Sequence, residues 1–526
     1  MTTTPRADDA PAADAPTTTT RAAGVVDLDL PGPQISRHLY GHFAEHLGRC
    51  IYDGFFVGEG SDVPNEGGIR LDVVEALRAA GIPNLRWPGG CFADEYHWRD
   101  GVGPREQRPR MVNSHWGDVV EDNSFGTHEF MALCELLGAE PYVSANVGSG
   151  TVHENADWVE YLTRADDSPM AALRRSHGRE EPWQVRFWGL GNEPWGCGGG
   201  MRAEAYADLA RTFGTYSRDH GGNALYRIAA GAADADYRWT EVLMKALGHE
   251  LGRRKEGHGT GTYQAISFHY YTVPGPWEHK GSATDFDEEE YYRTMVQARR
   301  LEAILAGHAA VMDAYDPERR VGLVLDEWGA WYDVEPGTNP GFLFQQNSLR
   351  DALVAGVHFD AFSRHAERLV MANIAQTVNV LQSMVLTDGA TMVLTPTYHA
   401  FAMNRGHHDA ARLPLAWRSP APTRSVGEDV LTTLSATAST KDGAVLLTLT
   451  NLESGSGVDV ELDLRGRAVG SPEAAVLTAP STSSHNTAAQ PDAVAPAPHE
   501  AVLDGSLLRV HVPAHSLTTV RLALEG

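Results

Sequence analysis

The stretch GLGNEPWG (189–196) ends a short apolar run with a glutamate, and LVLDEWGAWY (323–332) ends a second one in the same way. Each glutamate, Glu193 or Glu327, leads into a turn that contains Gly and Trp. An apolar run that stops at a polar turn is typical of a parallel strand that reaches the edge of a buried sheet. Both glutamates are therefore predicted to stand at the carboxyl ends of strands.

Short β-like runs of this kind alternate with longer helical patterns from about residue 37 to 400. The candidate strands are LYGHFAE (39–45), NLRWPGG (84–90), PYVSANV (141–147), RFWGLGN (186–192), YRIAAG (226–231), AISFHYY (265–271), VGLVLDE (321–327) and LVMANIA (369–375). Between them, apolar residues recur three or four positions apart, as in Phe130, Leu133 and Leu137. Eight strands that alternate with helices predict an α/β fold, the (β/α)8 TIM barrel.

The pattern changes after about residue 400, where AVLLTLTNL (444–452) and VDVELDL (458–464) alternate apolar and polar residues. Such alternation predicts an antiparallel, jelly-roll-like β-sandwich, interrupted by a Ser/Thr/Ala/Pro-rich loop over 471–498. The early run VVDLDL (25–30) alternates in the same way. We therefore predict a disordered tail over 1–22, a strand within 23–36 that pairs with the C-terminal sandwich, a catalytic barrel over 37–400 and a sandwich over 401–526.

The bulk composition excludes several classes of protein. The chain has 69 acidic and 43 basic side chains, which leaves a formal net charge of −26 and disfavours nucleic acid as a partner. The first 22 residues lack the apolar core of a secretory signal, and no run of about 18 apolar residues predicts a membrane span. We therefore expect a cytoplasmic protein with no membrane partner.

The four cysteines, Cys50, Cys91, Cys134 and Cys197, form no CxxC pair and no spacing typical of zinc ligands. The sequence therefore predicts reduced thiols, with neither a disulfide framework nor a metal site. No phosphate-binding loop or HExxH motif is present, so no cofactor is predicted.

The two strand-end glutamates suit one type of chemistry. In a (β/α)8 barrel, catalytic groups lie at the carboxyl ends of the strands. Cleavage of a glycosidic bond needs two carboxyl groups in different protonation states, and a retaining enzyme holds them about 5–5.5 Å apart. The sequence spacing alone, however, does not distinguish two catalytic carboxylates from two structural carboxylates that pair with arginines.

Four blocks of sequence closely resemble family 51 of the glycoside hydrolases, which are mainly α-L-arabinofuranosidases. They are GNEPWG, DEWGAWY, GHFAEHLGR (41–49) and RWPGGCFADEYHWRDGVGPREQRP (86–109). The resemblance runs from about Tyr40 to Tyr398. It implies a barrel with a β-sandwich, cofactor-free retaining hydrolysis, release of terminal arabinofuranose from arabinan- and arabinoxylan-derived oligosaccharides, and assembly into a homo-oligomer, a hexamer.

The resemblance also implies roles for individual residues. Glu193 matches the acid/base of the family and Glu327 its nucleophile. Asn192 matches an amide that contacts the sugar 2-hydroxyl, although a strand-end cap would place an Asn there too. Glu45 matches a carboxylate that binds the furanose hydroxyls, with an ion pair to Arg49 as the structural alternative.

Further residues match the substrate pocket of the family. Tyr271 matches a tyrosine that orients the nucleophile, and Gln376 matches an amide that contacts substrate, while core packing is the alternative for both. We expect His269 and Arg86 to support the site carboxylates.

Three more residues are expected to contact substrate. Trp98 and Trp331 are loop aromatics that could present a flat apolar face to a sugar, although a Trp is more often part of a core. Many family members carry Asn where this chain has Cys91, and we expect Cys91 to lie in the substrate site without acting as a nucleophile.

Two other functions stay open at this point. One is an endo-β-1,4-glucanase or β-xylosidase, because related barrel enzymes share this placement of carboxylates. The other is a non-catalytic sugar-binding protein built on the same barrel, against which the presence of both glutamates and Asn192 argues.

Overall fold

The computed structural model describes residues 20–253 and 262–525. Within them, eight parallel strands close into a barrel in the order of the sequence. The strands are Gly41–Phe43, Asn84–Trp87, Glu140–Ala145, Phe187–Leu190, Tyr226–Ala233, Ala265–Thr272, Gly322–Ala330 and Leu369–Ile374. Each predicted strand overlaps one of them, so the predicted (β/α)8 barrel is confirmed.

Helices follow the strands and cover the outside of the barrel. They are α1 (Leu71–Ala80), α2 (Thr127–Leu137), α3 (Val152–Thr163), α4 (Pro169–Ser176), α5 (Ala203–Tyr216), α6 (Tyr237–Arg253), α7 (Glu288–Tyr315), α8 (Leu349–Arg364) and α9 (Pro396–Asn404). On α2, Phe130 and Leu133 are buried while Glu135 is exposed, as the helical period requires. Among the described residues, no helix combines the length and apolarity that crossing a bilayer requires.

Helix α8 is buried along nearly its whole length, including its polar residues. It contacts the seventh barrel strand on one side and sandwich strands on the other. A helix between two layers has no solvent face, so its charged groups need partners. The Asp360 carboxylate accepts hydrogen bonds from Ser435 Oγ at 2.5 Å and Thr437 Oγ1 at 3.2 Å, and it pairs with Arg364 at 3.0 Å.

The C-terminal part is a sandwich of two sheets. One sheet contains strands 411–412, 434–441, 444–451, 516–523, 473–477 and 497–499, and the other contains 415–417, 20–27, 458–465, 507–512 and 501–504. Alternate residues such as Leu447, Val460 and Val520 fill the space between them. The predicted C-terminal β-sandwich is therefore confirmed.

The first described strand, Thr20–Asp27, lies in this sandwich and pairs in parallel with strand 458–465. Residues 20–22, which the sequence analysis assigned to the tail, begin this strand, and the rest of the predicted tail lies outside the described residues. The predicted 471–498 loop contains strand Glu473–Leu477 and then contacts the barrel. There Leu349 N–H donates to Ser484 O at 2.9 Å, so the loop adjoins the start of α8.

We expect Asp360→Ala to lower the stability of the protein by about 1–3 kcal/mol, because the buried hydroxyls of Ser435 and Thr437 lose the carboxylate to which they donate. The melting temperature measures this loss. The matched control is Asp208→Ala, at an exposed position of α5, with an expected change within about 0.5 kcal/mol. Equal melting temperatures for the two variants would contradict a role of Asp360 in joining the barrel to the sandwich.

Candidate active site

The carboxylates of Glu193 and Glu327 meet at the carboxyl ends of the barrel strands. Glu193 follows the fourth strand and Glu327 lies in the seventh. One oxygen of each, together with a ring nitrogen of His269, falls within a group whose atoms all lie within 4.8 Å of one another. The Glu327 side chain is 7% exposed and that of Glu193 is 20% exposed, so the two carboxylates have unequal access to solvent.

Glu327 is held by two donors. Arg86 Nη1 donates to Oε1 at 2.8 Å, and the Tyr271 hydroxyl donates to Oε2 at 2.7 Å. Burial alone would raise the pKa of Glu327, but the positive charges of His269 and Arg86 outweigh it and lower this pKa below its ordinary value. Glu327 is therefore kept as a carboxylate with both oxygens oriented.

His269 lies between the two glutamates. Its Nδ1 is 2.9 Å from Glu193 Oε1 and 3.6 Å from Glu327 Oε2. Burial lowers the pKa of His269, but the charges of Glu327 and Glu193 more than compensate, so this pKa lies above its ordinary value. The imidazole can therefore form a hydrogen bond with Glu193, while it acts on Glu327 through its charge.

Glu45 follows the first strand and forms a second buried carboxylate site. Its Oε1 accepts hydrogen bonds from the N–H groups of Gly90 at 3.0 Å and Phe92 at 3.1 Å, and from Trp116 Nε1 at 3.0 Å. Its Oε2 accepts one from Gln376 Nε2 at 2.8 Å. The structure thus joins the predicted residues Glu45 and Gln376, and no ion pair between Glu45 and Arg49 is found among the described residues.

Two glycines precede Cys91 in the PGG turn after the second strand, because the site carboxylates leave no room there for a side chain. A Cβ atom on Gly89 would lie 2.8 Å from Glu45 Cγ, and one on Gly90 would lie 2.8 Å from Glu327 Oε1. These distances are shorter than real Cβ contacts, so any side chain here would displace a site carboxylate.

Asn192 is oriented from two sides. Its side-chain Oδ1 accepts from Arg86 Nη2 at 2.6 Å, and its backbone N–H donates to Asp94 Oδ2 at 2.8 Å. Asp94 Oδ1 also accepts from the N–H groups of Val147 and Gly148, so one side chain ties together the loops after the third and fourth strands. Asp94 was not among the predicted site residues, although it stands inside the matched block 86–109.

The prediction of four reduced cysteines is wrong. Cys91 and Cys197 form a disulfide, while Cys50 and Cys134 are free and buried. Local spacing of cysteines does not reveal this disulfide, because Cys91 and Cys197 are 106 positions apart, on loops that converge at the barrel mouth. Cys91 does lie beside the site, but as half of a disulfide and not as a thiol that contacts substrate.

The two predicted tryptophans differ in placement. Trp98 is 1% exposed, its Nε1 donates to Glu154 O at 3.0 Å, and its ring stacks on Trp158, so its assignment as a sugar platform is wrong. Trp331 lines a cavity of about 470 Å³ that also contains Glu193 and His269. Two aromatics that the sequence analysis did not select, Trp195 and Trp277, line the same cavity.

The chain is similar to known proteins over nearly its whole length. An intracellular exo-α-L-arabinofuranosidase of Bacteroides ovatus is 50% identical over 491 residues, which cover 93% of each chain. The chain belongs to glycoside hydrolase family 51, the α-L-arabinofuranosidases. Residues 76–275 match the family model of the α-L-arabinofuranosidase 1 domain, and residues 326–516 match that of the α-L-arabinofuranosidase C-terminal domain.

Solved structures from this family superpose over nearly the whole chain. The family-51 arabinofuranosidase of Xanthomonas axonopodis pv. citri is 48% identical with a TM-score of 0.91, covering 95% of this chain and 99% of that one. An arabinose complex of the α-L-arabinofuranosidase of Thermotoga maritima is 30% identical with a TM-score of 0.83, covering 96% and 100%.

Glu45 generates a pH-dependent prediction. Burial, helped by the charge of Glu327, raises its pKa from 4.5 to about 7. The folded chain therefore keeps a proton there that the unfolded chain has released, and this contribution to stability is lost as the pH rises through about 7. Glu45→Gln removes it. We expect the melting temperature of Glu45→Gln relative to wild type to increase from about pH 5 to about pH 8, by the equivalent of up to about 3 kcal/mol.

The exposed variant Asp208→Asn is the control, and its difference from wild type should stay constant over the same range. A constant difference for Glu45→Gln as well would contradict a raised proton affinity at Glu45.

Proposed function

We propose that this chain is an exo-acting, retaining α-L-arabinofuranosidase that releases terminal arabinofuranose from arabinan- and arabinoxylan-derived oligosaccharides. The single observation that carries the mechanism is the unequal pair of adjacent carboxylates, with Glu327 buried against Arg86 and Glu193 partly exposed. The names of the relatives support arabinofuranose as the sugar that is released, and the name of the Bacteroides ovatus protein supports exo action.

In the first step, a Glu327 oxygen attacks the anomeric carbon and forms a covalent glycosyl-enzyme. Arg86 and Tyr271 hold the attacking carboxylate in one orientation, which reduces the reorganisation needed at the transition state. The protonated Glu193 gives its proton to the departing glycosidic oxygen, which would otherwise leave as an alkoxide.

In the second step, the roles of the groups reverse. Glycosylation removes the negative charge of Glu327, and Glu193 is now an anion that can accept a proton. It deprotonates a water, which attacks the anomeric carbon and returns Glu327 as the leaving group. His269 Nδ1 lies 2.9 Å from Glu193 Oε1. The ring can donate a hydrogen bond to ionised Glu193 or accept one from protonated Glu193, so it suits both steps.

The remaining residues bind the sugar in this proposal. Asn192 contacts the 2-hydroxyl, since Arg86 fixes its Oδ1 and leaves its amide nitrogen for the substrate. Glu45 and Gln376 bind further hydroxyls, and the buried Gln376 Oε1 has no partner among the described residues. Trp331 forms a wall of the cavity beside Glu193 and offers a flat apolar face to the substrate.

The rivals are an endo-β-1,4-glucanase or β-xylosidase and a non-catalytic sugar-binding protein. Hydrolysis of a chromogenic arabinofuranoside, without release of reducing ends from carboxymethylcellulose, separates the proposal from both. We further propose a cytoplasmic location, supported by the intracellular relative, with oligosaccharides and not nucleic acid as the partner. The hexamer stays a prediction from the family resemblance.

We expect Glu327→Ala to reduce kcat by about 10⁴-fold or more, because no nucleophile remains. Added azide should enter the vacated space, attack the anomeric carbon and restore part of the turnover. The product to detect by NMR is a glycosyl azide of inverted configuration. The exposed variant Glu318→Ala should keep wild-type activity and form no azide adduct, and unimpaired hydrolysis by Glu327→Ala would exclude Glu327 as nucleophile.

We expect Glu193→Ala to act selectively on the leaving group. For alkyl or sugar leaving groups kcat/KM should fall by about 10²–10⁴-fold, since these groups need a proton to depart. Activated aryl arabinofuranosides should be affected much less in the glycosylation step. The measurement is kcat/KM across a series of leaving groups, and an equal loss throughout the series would argue against an acid role.

A further inference from the structure

A disulfide lies directly against the proposed acid/base. It joins Cys91, on the loop after the second barrel strand, to Cys197, on the loop after the fourth. Cys197 Sγ is 3.6 Å from Glu193 Oε2. One atom each of Cys91, Cys197 and Glu193 belongs to a group whose members all lie within 4.8 Å of one another.

We propose that reduction of this disulfide creates a binding site for a thiophilic divalent cation such as Zn²⁺, with Cys91, Cys197 and Glu193 as ligands. The spacing of the cysteines predicts no metal site, because Cys91 and Cys197 are 106 positions apart in the chain. Two thiolates and a carboxylate are ligands that zinc prefers in proteins.

The geometry suits a tetrahedral ion. Zinc binds sulfur at about 2.3 Å and carboxylate oxygen at about 2.0–2.2 Å, so a sulfur and an oxygen on one tetrahedral zinc lie about 3.6 Å apart. Cys197 Sγ and Glu193 Oε2 are already separated by that distance. The two thiolates need to be about 3.8 Å apart, which rotation about the Cα–Cβ bonds can provide while the Cα atoms stay near their present 5.5 Å.

The surroundings also suit a bound cation. The other oxygen of Glu193, Oε1, lies 2.9 Å from His269 Nδ1, and Asn192 Nδ2 lies 3.9 Å from Cys197 Sγ. Such outer contacts orient metal ligands and can stabilise a thiolate. Cys91, Cys197 and Glu193 are all partly exposed, so an ion can reach them from the pocket and a water can complete its coordination.

The chemistry balances with a thiol reductant. A dithiol attacks one sulfur of the disulfide as a thiolate, forms a mixed disulfide and then closes its own ring, so two cysteine thiols are released and the dithiol is oxidised. Binding of Zn²⁺ then displaces one proton from each thiol to solvent. Thiols are kept reduced in the cytoplasm, the location proposed above, so the reductant is of a class present there.

Metal binding should switch the enzyme off. A Glu193 oxygen that coordinates Zn²⁺ can neither carry a proton to the leaving oxygen nor accept one from water. This consequence rests on the proposed role of Glu193, whereas the metal site does not. In the oxidised protein neither sulfur is a thiolate, so the disulfide should protect the acid/base from such ions.

The test compares oxidised and phosphine-reduced full-length protein after removal of the reductant. Reduced wild type should bind one Zn²⁺ per chain, as measured by isothermal titration and elemental analysis. Its activity should fall at least about tenfold with Zn²⁺ bound and return when a chelator is added. With Co²⁺ it should show the charge-transfer absorption of metal-bound thiolate. Oxidised wild type should do none of this.

Cys197→Ser should abolish the thiolate absorption and the stoichiometric binding, whereas Cys134→Ser, at a buried position, should bind as reduced wild type does. Equal binding by reduced Cys197→Ser, or none by reduced wild type, would overturn the proposal. Crystals reduced and then soaked with Zn²⁺ avoid any dependence on refolding, and no anomalous peak between Cys91, Cys197 and Glu193 would overturn it too. Binding without loss of activity would leave the metal site standing and count against the role of Glu193.

Discussion

The buried contact between Arg86 and Glu327 is the interaction on which the site depends. Without a cation, an ionised carboxylate at this depth would cost several kcal/mol, and Glu327 would take up a proton instead. Arg86 supplies the charge from the second barrel strand, with its guanidinium 4.6 Å from the ring centre of Phe43. Because its fork donates to Glu327 and to Asn192 at once, the orientations of the proposed nucleophile and of the neighbouring amide are set together.

This constraint extends to the rest of the pocket. Glu327 is oriented from the sixth strand by Tyr271, and Glu45 is oriented from the loop after the eighth strand by Gln376. Asp94 holds the backbone before Glu193 from the loop after the second strand. Donors and acceptors thus come from different strands of one closed barrel, whose geometry cannot change at one strand alone. A frame of this kind suits a reaction that needs oriented charge.

The fold was predictable because it depends on local patterns. Apolar runs that end in polar turns, together with the family resemblance, marked the eight barrel strands, and alternation marked the sandwich. The positions of Glu193 and Glu327 followed from the same rule, since barrel strands end on one face. Contacts between distant loops were not predictable: Asp94 and Trp116 act through partners that the sequence does not place beside them. Trp98 shows the reverse error, because a loop aromatic can turn towards the core as easily as towards a pocket.

The relation of Cys91 and Cys197 to the site follows from the chemistry of the two glutamates. Arg86 and Tyr271 orient the two oxygens of Glu327, whose side chain is less exposed than that of Glu193. A general acid has to deliver its proton to a departing group and then meet water, so Glu193 has to keep an oxygen accessible at the mouth. Accessibility makes it the carboxylate that a foreign cation reaches first. A pair of thiols at the mouth of the barrel would place two further metal ligands beside Glu193. Joining them as a disulfide removes these two ligands without closing the path that water needs.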